Sequence, residues 1–207
     1  MHDQYVIYII DDDSAVRGAI STLVESVGLS AIEHESAESF IDALDINTPS
    51  VIVVDVRLSG MGGMELQEWL IENRICIPII VISGHGDIPM AVSMIKRGAV
   101  DFLEKPFRNQ TLLDGIRKAI KIDKQLRVSL IEVLTLETSY NELTNREREV
   151  CTYIQQAMPS KKIASKMNVS YRTIEGYRSQ ILKKMNSSTS QELMIDLVKI
   201  KKEIQVK

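Results

Sequence analysis

The 207-residue chain has only two cysteines, Cys76 and Cys151, which stand 75 positions apart with no companions at metal-ligand spacing. Neither a disulfide scaffold nor a zinc module is therefore indicated, and both thiols read as ordinary buried cysteines. Long apolar runs are missing as well: none approaches the roughly 18 residues needed to cross a bilayer. The opening MHDQYVIYIIDDD has no basic flank, no long apolar stretch and no small-residue cleavage site, so secretion and membrane insertion are not expected and the chain reads as cytoplasmic. The three histidines, His2, His34 and His85, show no ligand spacing. Repeats and low-complexity segments are absent, and 44% apolar with 26% charged residues argues for a folded chain of one or two domains.

Charge is unevenly placed. Residues 1–122 carry 18 Asp and Glu against 10 Lys and Arg, or −8, whereas residues 123–207 carry 10 against 15, or +5; the whole chain is therefore −3. This asymmetry predicts two modules with different partners, and a basic second module is compatible with nucleic acid.

The first half alternates short β-branched runs with amphipathic stretches. Strands are predicted at Tyr5–Ile10, Ser30–His34, Ser50–Val54, Pro78–Ile82 and Val100–Leu103, most of them continuously apolar and hence buried on both faces. Helical periodicity falls between them, at Ser14–Val27, Ala37–Leu44, Met64–Asn73, Ile88–Arg97 and from Thr111 onward. Five βα repeats with right-handed crossovers predict a doubly wound, five-stranded parallel sheet, an α/β domain over residues 1–122. From Leu112 to about Glu137 the pattern stays helical, so residues 123–140 read as a linker helix that is either a spacer or a face for self-association. Residues 141–207 contain no strand-like run and predict a small all-α domain of four helices, Asn145–Gln156, Lys161–Met167, Tyr171–Met185 and Ser190–Lys201. Thr144 with Glu147 forms a capping box, and Ser160 and Ser170 are expected to cap the next two helices.

In open parallel sheets ligands bind beyond the carboxyl ends of the strands, near the switch in winding order. Those ends carry Asp11-Asp12-Asp13, Asp55, Ser83 and Glu104-Lys105-Pro106. Clustered carboxylates repel one another unless a hard divalent cation relieves them, and magnesium suits such oxygens. Asp12, Asp55 and the carbonyl of Arg57 are the candidate ligands, with Asp11 behind or through water. An ionised Asp55 would then attack phosphorus in line while Lys105 neutralises charge on the equatorial oxygens.

Together with Gly84-His85-Gly86-Asp87-Ile88-Pro89-Met90-Ala91-Val92 and Gly98-Ala99-Val100-Asp101-Phe102-Leu103-Glu104-Lys105-Pro106, this constellation resembles a two-component receiver of the FixJ type over residues 4–122, a flavodoxin-like fold. The resemblance implies phosphoryl transfer from a sensor histidine kinase to Asp55, magnesium held through Asp11 and Asp12, and a cis peptide between Lys105 and Pro106. It also implies a switch in which Ser83 moves toward the phosphoryl oxygens and Phe102 follows. Ser59 stands where the family often has Pro, which predicts a softer loop, and Gly62-Gly63 supplies the glycine expected before the third helix. Aspartate-nucleophile phosphatases offer an enzymatic alternative, but they place an acidic general acid two residues after the nucleophile, where this chain has Arg57. No turnover enzyme is expected.

In the second half, Leu143-Thr144-Asn145-Arg146-Glu147-Arg148-Glu149-Val150, Pro159-Ser160-Lys161-Lys162-Ile163-Ala164 and Val169-Ser170-Tyr171-Arg172-Thr173-Ile174-Glu175-Gly176-Tyr177-Arg178 are similar to the LuxR-type helix-turn-helix of NarL/FixJ regulators. Helical spacing puts Ile174, Ile181 and Met185 in the core and Arg172, Glu175, Gly176, Ser179 and Lys183 on the face toward a major groove. Arg172, Arg178 and Lys183 are expected on phosphates; Glu175, Gly176 and Ser179 on base edges; Thr173 beside them; and Lys161 and Lys162 on the backbone. Ala157 and Ser160 replace the Gly and Asn usual before the second of these helices, and Gly176-Tyr177 replaces a branched residue and His. The resemblance implies a response regulator whose phosphorylation promotes homodimerisation and binding to double-stranded promoter DNA. A regulator that binds DNA without phosphorylation is the main alternative.

Overall fold

The computed structural model describes residues 5–84 and 88–204, so His2 and residues 85–87 of the glycine-rich motif lie outside the described residues. Five strands, β1 (Val6–Ile10), β2 (Ser30–His34), β3 (Ser50–Asp55), β4 (Ile79–Ser83) and β5 (Asp101–Glu104), form one parallel sheet in the order β2-β1-β3-β4-β5. Between them lie α1 (Ser14–Glu25), α2 (Ala37–Ala43), α3 (Gly63–Glu72) and α4 (Ile88–Lys96). The predicted fold class is the observed one, with strand ends shifted by a residue. Asp55, Ser83 and Glu104 are themselves the last residues of their strands, because Asp55 aligns with Ile82 and Ser83 with Glu104 in the ladders.

Period-two alternation divides the sheet's side chains between two layers. Ile7, Ile9, Val51, Val53, Ile80 and Ile82 face α1 and the helix that follows β5 through Ile20, Val24, Leu112 and Ile116. Tyr8, Ile10, Ile52, Val54, Ile79 and Val81 face α2, α3 and α4 through Phe40, Leu66, Leu70 and Met94. Burial on both faces explains why β3 and β4 read as unbroken apolar runs. Winding direction reverses between β1 and β3, which places the ends of those two strands, Asp11 and Asp55, at the crevice.

One helix, α5, runs from Asn109 to Asn141, and the chain divides into two compact units within it, between Arg127 and Val128. The stretch expected as a linker is part of this continuous helix. In the first unit α5 is tied down by Asp123, which accepts hydrogen bonds from Tyr5 Oη (2.9 Å) and Arg127 Nε (2.7 Å), while Arg127 also donates to the carbonyls of Asn47 and Thr48.

The second unit is entirely helical among its described residues: the end of α5, then α6 (Asn145–Gln155), α7 (Ser160–Met167), α8 (Tyr171–Lys184) and α9 (Ser190–Ile204). Its core gathers Val150, Ile154, Ile163, Ile174, Ile181, Met185, Leu193 and Leu197. Thr144 and Glu147 form the expected capping box, and Ser170 accepts from the Thr173 N–H at 3.0 Å. Ser160 does not cap α7. Helical geometry begins at Ser160 itself, Pro159 occupies the capping position, and its carbonyl accepts from Lys162 and Ile163.

Candidate functional site

At the carboxyl end of the sheet the chain buries two carboxylates beside one ammonium. Asp11 follows β1 and is 1% exposed; Asp55 ends β3 and is 7% exposed. Lys105, just past β5, reaches both, with its Nζ 2.6 Å from Asp11 Oδ2 and in contact with Asp55 Oδ2. The remaining carboxylate oxygens are held by main chain: Asp11 Oδ1 accepts from Asp13 N (2.9 Å) and Asp55 Oδ1 from Arg57 N (2.7 Å). Burial lifts the Asp11 carboxyl above its ordinary value, against the lowering pull of Lys105 and the Asp13 amide. For Lys105 burial works against the charge, but hydrogen bonds and Coulomb attraction from Asp11 and Asp55 outweigh it and raise its pKa.

Ser83 is buried at the end of β4, and its carbonyl accepts from Lys105 N at 2.7 Å, which fixes the backbone that carries the ammonium. The Lys105–Pro106 peptide is cis. Phe102 is partly buried against the helix layer of α2, α3 and α4. The loop after β3 returns so tightly that a Cβ on Gly63 would sit 2.5 Å from the Asp55 carbonyl oxygen, so the glycine is sterically required and is more than a turn marker.

The fourth candidate, Asp12, points elsewhere. It is exposed, and its Oδ2 accepts from Ser59 Oγ at 3.0 Å. Among the described residues no three His, Cys, Asp or Glu side chains are grouped to hold a metal ion. The donor set nonetheless fits a hard divalent cation: two buried carboxylates face one ammonium, which leaves an uncompensated negative charge, and a third carboxylate stands in the adjacent loop. Two contacts were not legible from the motif. Arg17, one turn into α1, donates back to the Asp11 carbonyl at 2.7 Å, which depends on how the helix leaves β1, and Ser59 binds Asp12, which depends on how two loops approach in space.

In the second unit α7 and α8 are joined by Asn168, which adopts the left-handed conformation at φ 54°, and by Val169 and Ser170. Ile174, Ile181 and Met185 are buried, as the spacing predicts. Lys161, Lys162, Arg172, Thr173, Glu175, Gly176, Ser179 and Lys183 are all exposed. The Thr173 hydroxyl bonds Ser170 Oγ at 2.8 Å, so it is shared with the helix cap. Arg178 is half-buried, and its Nη2 donates to Ser190 Oγ at 3.2 Å. A Cβ on Gly176 would meet nothing within 4 Å, so that glycine answers no packing demand within the chain.

Residues 7–117 match the family described as response regulator receiver domain, and residues 141–196 match bacterial regulatory proteins of the luxR family. Among curated relatives, the response regulator protein TmoT of Ectopseudomonas mendocina is 42% identical over 195 residues, covering 94% of this chain and 89% of its own. The transcriptional regulatory protein FixJ of Bradyrhizobium diazoefficiens is 36% identical, covering 91% and 92%. Among solved structures, the response regulator StyR matches with a TM-score of 0.79 at 32% identity, over 95% of this chain and 99% of that one. Full-length FixJ from B. japonicum matches at 0.57 and 34%, over 95% and 97%.

Proposed function

The chain belongs to the two-component response regulators, with a receiver domain followed by a LuxR-type DNA-binding domain, and from that premise we propose that Asp55 is its phosphoacceptor and that phosphorylation there governs promoter binding. The observation that carries this reading is the shared grip of Lys105 on Asp11 and Asp55 at the winding switch of the sheet. A sensor histidine kinase is the donor: an Asp55 oxygen forms the new O–P bond, the N–P bond of the phosphohistidine breaks, and the imidazole keeps the electron pair. Lys105 lies where it neutralises charge on the transferring group, and the buried Ser83 at the neighbouring strand end supplies a hydroxyl to the same oxygens. Asp11, Asp12, Asp55 and the carbonyl of Arg57 would hold Mg2+, which supplies further charge neutralisation when bound. Phe102, partly buried beside β4, follows Ser83 when the phosphoryl group draws it. Arg57 offers no general acid two residues after Asp55, so the acyl phosphate persists as a signal and is not turned over by a phosphatase step.

Output is carried by residues 141–207. Arg172, Arg178 and Lys183, with Lys161 and Lys162, position α8 on phosphates, and Thr173, Glu175, Gly176 and Ser179 read the major groove. A second copy of the chain pairs with the phosphorylated receiver, which raises the local concentration of readers at paired half-sites. Exposed apolar residues available for pairing include Ile88, Val92 and Ile95 on α4. A protein without membrane-crossing helices among its described residues and with promoter DNA as target fits work in the cytoplasm. The test is labelling with a small acyl-phosphate donor and Mg2+: wild type forms an acid-stable, base-labile adduct and Asp55→Asn does not. Full labelling of that variant overturns the acceptor assignment.

A further inference from the structure

We propose that Ser59 is a positioning residue of the acidic pocket, whose hydroxyl engages Asp12 in a loop-to-loop hydrogen bond that a divalent cation must displace to recruit that carboxylate. The inference rests on the reading above, in which Asp11, Asp12 and Asp55 serve one cation. Ser59 and Asp12 are 47 positions apart in sequence, on the loops that follow β3 and β1, and their side chains meet at 3.0 Å. Asp11 and Asp55 are drawn together by Lys105, but with Asp12 engaged by Ser59 no group of three carboxylates is assembled among the described residues. Recruiting Asp12 therefore exchanges a hydroxyl–carboxylate bond for a metal–carboxylate bond, and the hydroxyl returns to water.

The latch tunes Asp12 without being needed to shape the loop. Residues 56–63 are fixed independently at four points: Arg57 N on Asp55 Oδ1 (2.7 Å), Met61 N on Glu38 Oε1 (2.8 Å), Gly62 N on Glu65 Oε2 (2.7 Å) and Gly63 N on the Val56 carbonyl (3.0 Å). The main chain of Arg57, the other ligand candidate on this loop, is thus held whether or not Ser59 bonds Asp12. Removing the hydroxyl should free the carboxylate and leave the loop in place, which makes binding tighter. A proline at this position would have the same consequence, having no hydroxyl to offer.

The experiment is calorimetric titration of MgCl2 into the full-length, chelator-treated and dialysed protein, which reads binding without phosphorylation. Ser59→Ala should bind Mg2+ about three- to tenfold more tightly than wild type, the size expected for loss of one exposed hydrogen bond to a carboxylate. Ser59→Thr, which keeps the hydroxyl, should match wild type, and in an Asp12→Asn background Ser59→Ala should change nothing. In chelator Ser59→Ala should melt no more than a few degrees below wild type, the loss of that one bond, which shows that the rest of the loop is intact. Equal or weaker binding by Ser59→Ala, beside a wild type that does bind, overturns the latch alone. A wild type that takes up no Mg2+ overturns the reading of the pocket itself, and the latch with it.

Discussion

Asp11 and Glu147 are both buried carboxylates, yet their surroundings move them in opposite directions. Desolvation dominates at Asp11 and raises its pKa, so its proton is held more readily in the folded state than in the unfolded one. The associated stability is fully present below the ordinary value of 3.8 and is lost as pH rises through the folded value. Asp11→Asn should therefore melt at a higher temperature than wild type near pH 7 in chelator, with the difference closing as pH falls below 3.8. Equal melting at pH 7 would show that Lys105 fully compensates the buried charge. At Glu147 burial also pushes upward, but Lys184 and both Thr144 donors outweigh it and lower the pKa. Its Oε2 accepts from Thr144 N (2.7 Å), Thr144 Oγ1 (2.9 Å) and Lys184 Nζ (2.7 Å), which joins the start of α6 to the end of α8. This contribution is present above the ordinary value of 4.5 and is lost as pH falls through the folded value. Glu147→Gln should cost the DNA-binding unit about 2 kcal/mol at neutral pH, the scale of hydrogen bonds to a charged group, and much less in acid. Denaturant melts at the two pH values check it.

Two helices of the second unit carry the wrong residue for their local backbone, and each exchange has a sign. The end of α6 is a Schellman turn: Met158 N donates to the Tyr153 carbonyl (3.1 Å), Ala157 N to the Ile154 carbonyl (2.8 Å), and Ala157 takes φ 54°. Alanine in that left-handed conformation costs about 1–2 kcal/mol, part of which glycine would return as unfolded-state entropy, so Ala157→Gly should stabilise by about 0.5–1 kcal/mol. Gly176 is the converse. It lies inside α8 with open space around it, and Gly176→Ala should stabilise by about 1 kcal/mol while lowering promoter affinity if the missing Cβ admits a base edge. Unchanged affinity would take Gly176 out of the interface. The sequence marked both positions as departures, and the helix cost of Gly176 is legible there; the strain at Ala157 became visible only with the backbone. Helix starts were legible where one side chain decides them, as at Thr144 and Ser170, but not at Ser160, where Pro159 and its carbonyl take the capping position. Among site residues, Asp11, Asp55 and Lys105 were legible because strand ends meet at the winding switch. Ser59 and Arg17 were not, since Ser59 meets Asp12 through the approach of two separate loops and Arg17 reaches Asp11 only through the angle at which α1 leaves β1; Gly63 was expected before the third helix, but the reason it must be glycine, the Asp55 carbonyl in the space of its Cβ, came only with the structure.

At the scale of the whole molecule, opposite charge and separate cores divide sensing from output: the −8 half carries the acidic pocket of Asp11 and Asp55, and the +5 half carries the exposed cations of α7 and α8. That division makes DNA affinity a measurable count of neutralised phosphates. Each cation that replaces a condensed counterion steepens the fall of log affinity with log salt by about 0.9. Lys161, Lys162, Arg172 and Lys183 are exposed, and among the described residues their side chains make no hydrogen bond or ion pair that DNA would have to break. Replacing any one of them with Ala in the full-length phosphorylated protein should weaken specific and non-specific DNA alike and reduce the slope by about one unit. Arg178 differs: it is half-buried and donates to Ser190, so Arg178→Ala should also lower the melting temperature of the second unit. Glu175→Gln should leave the salt slope nearly unchanged and alter the ratio of affinities between promoter variants, because a carboxylate facing a base reads sequence instead of charge. Lys121→Ala, an exposed cation on the receiver portion of α5, is the control expected to change neither quantity. Fluorescence anisotropy at several salt concentrations separates these outcomes. A slope that falls equally for Lys121 and Lys161 would mean that DNA responds to net charge alone and that α7 and α8 do not form a distinct binding face.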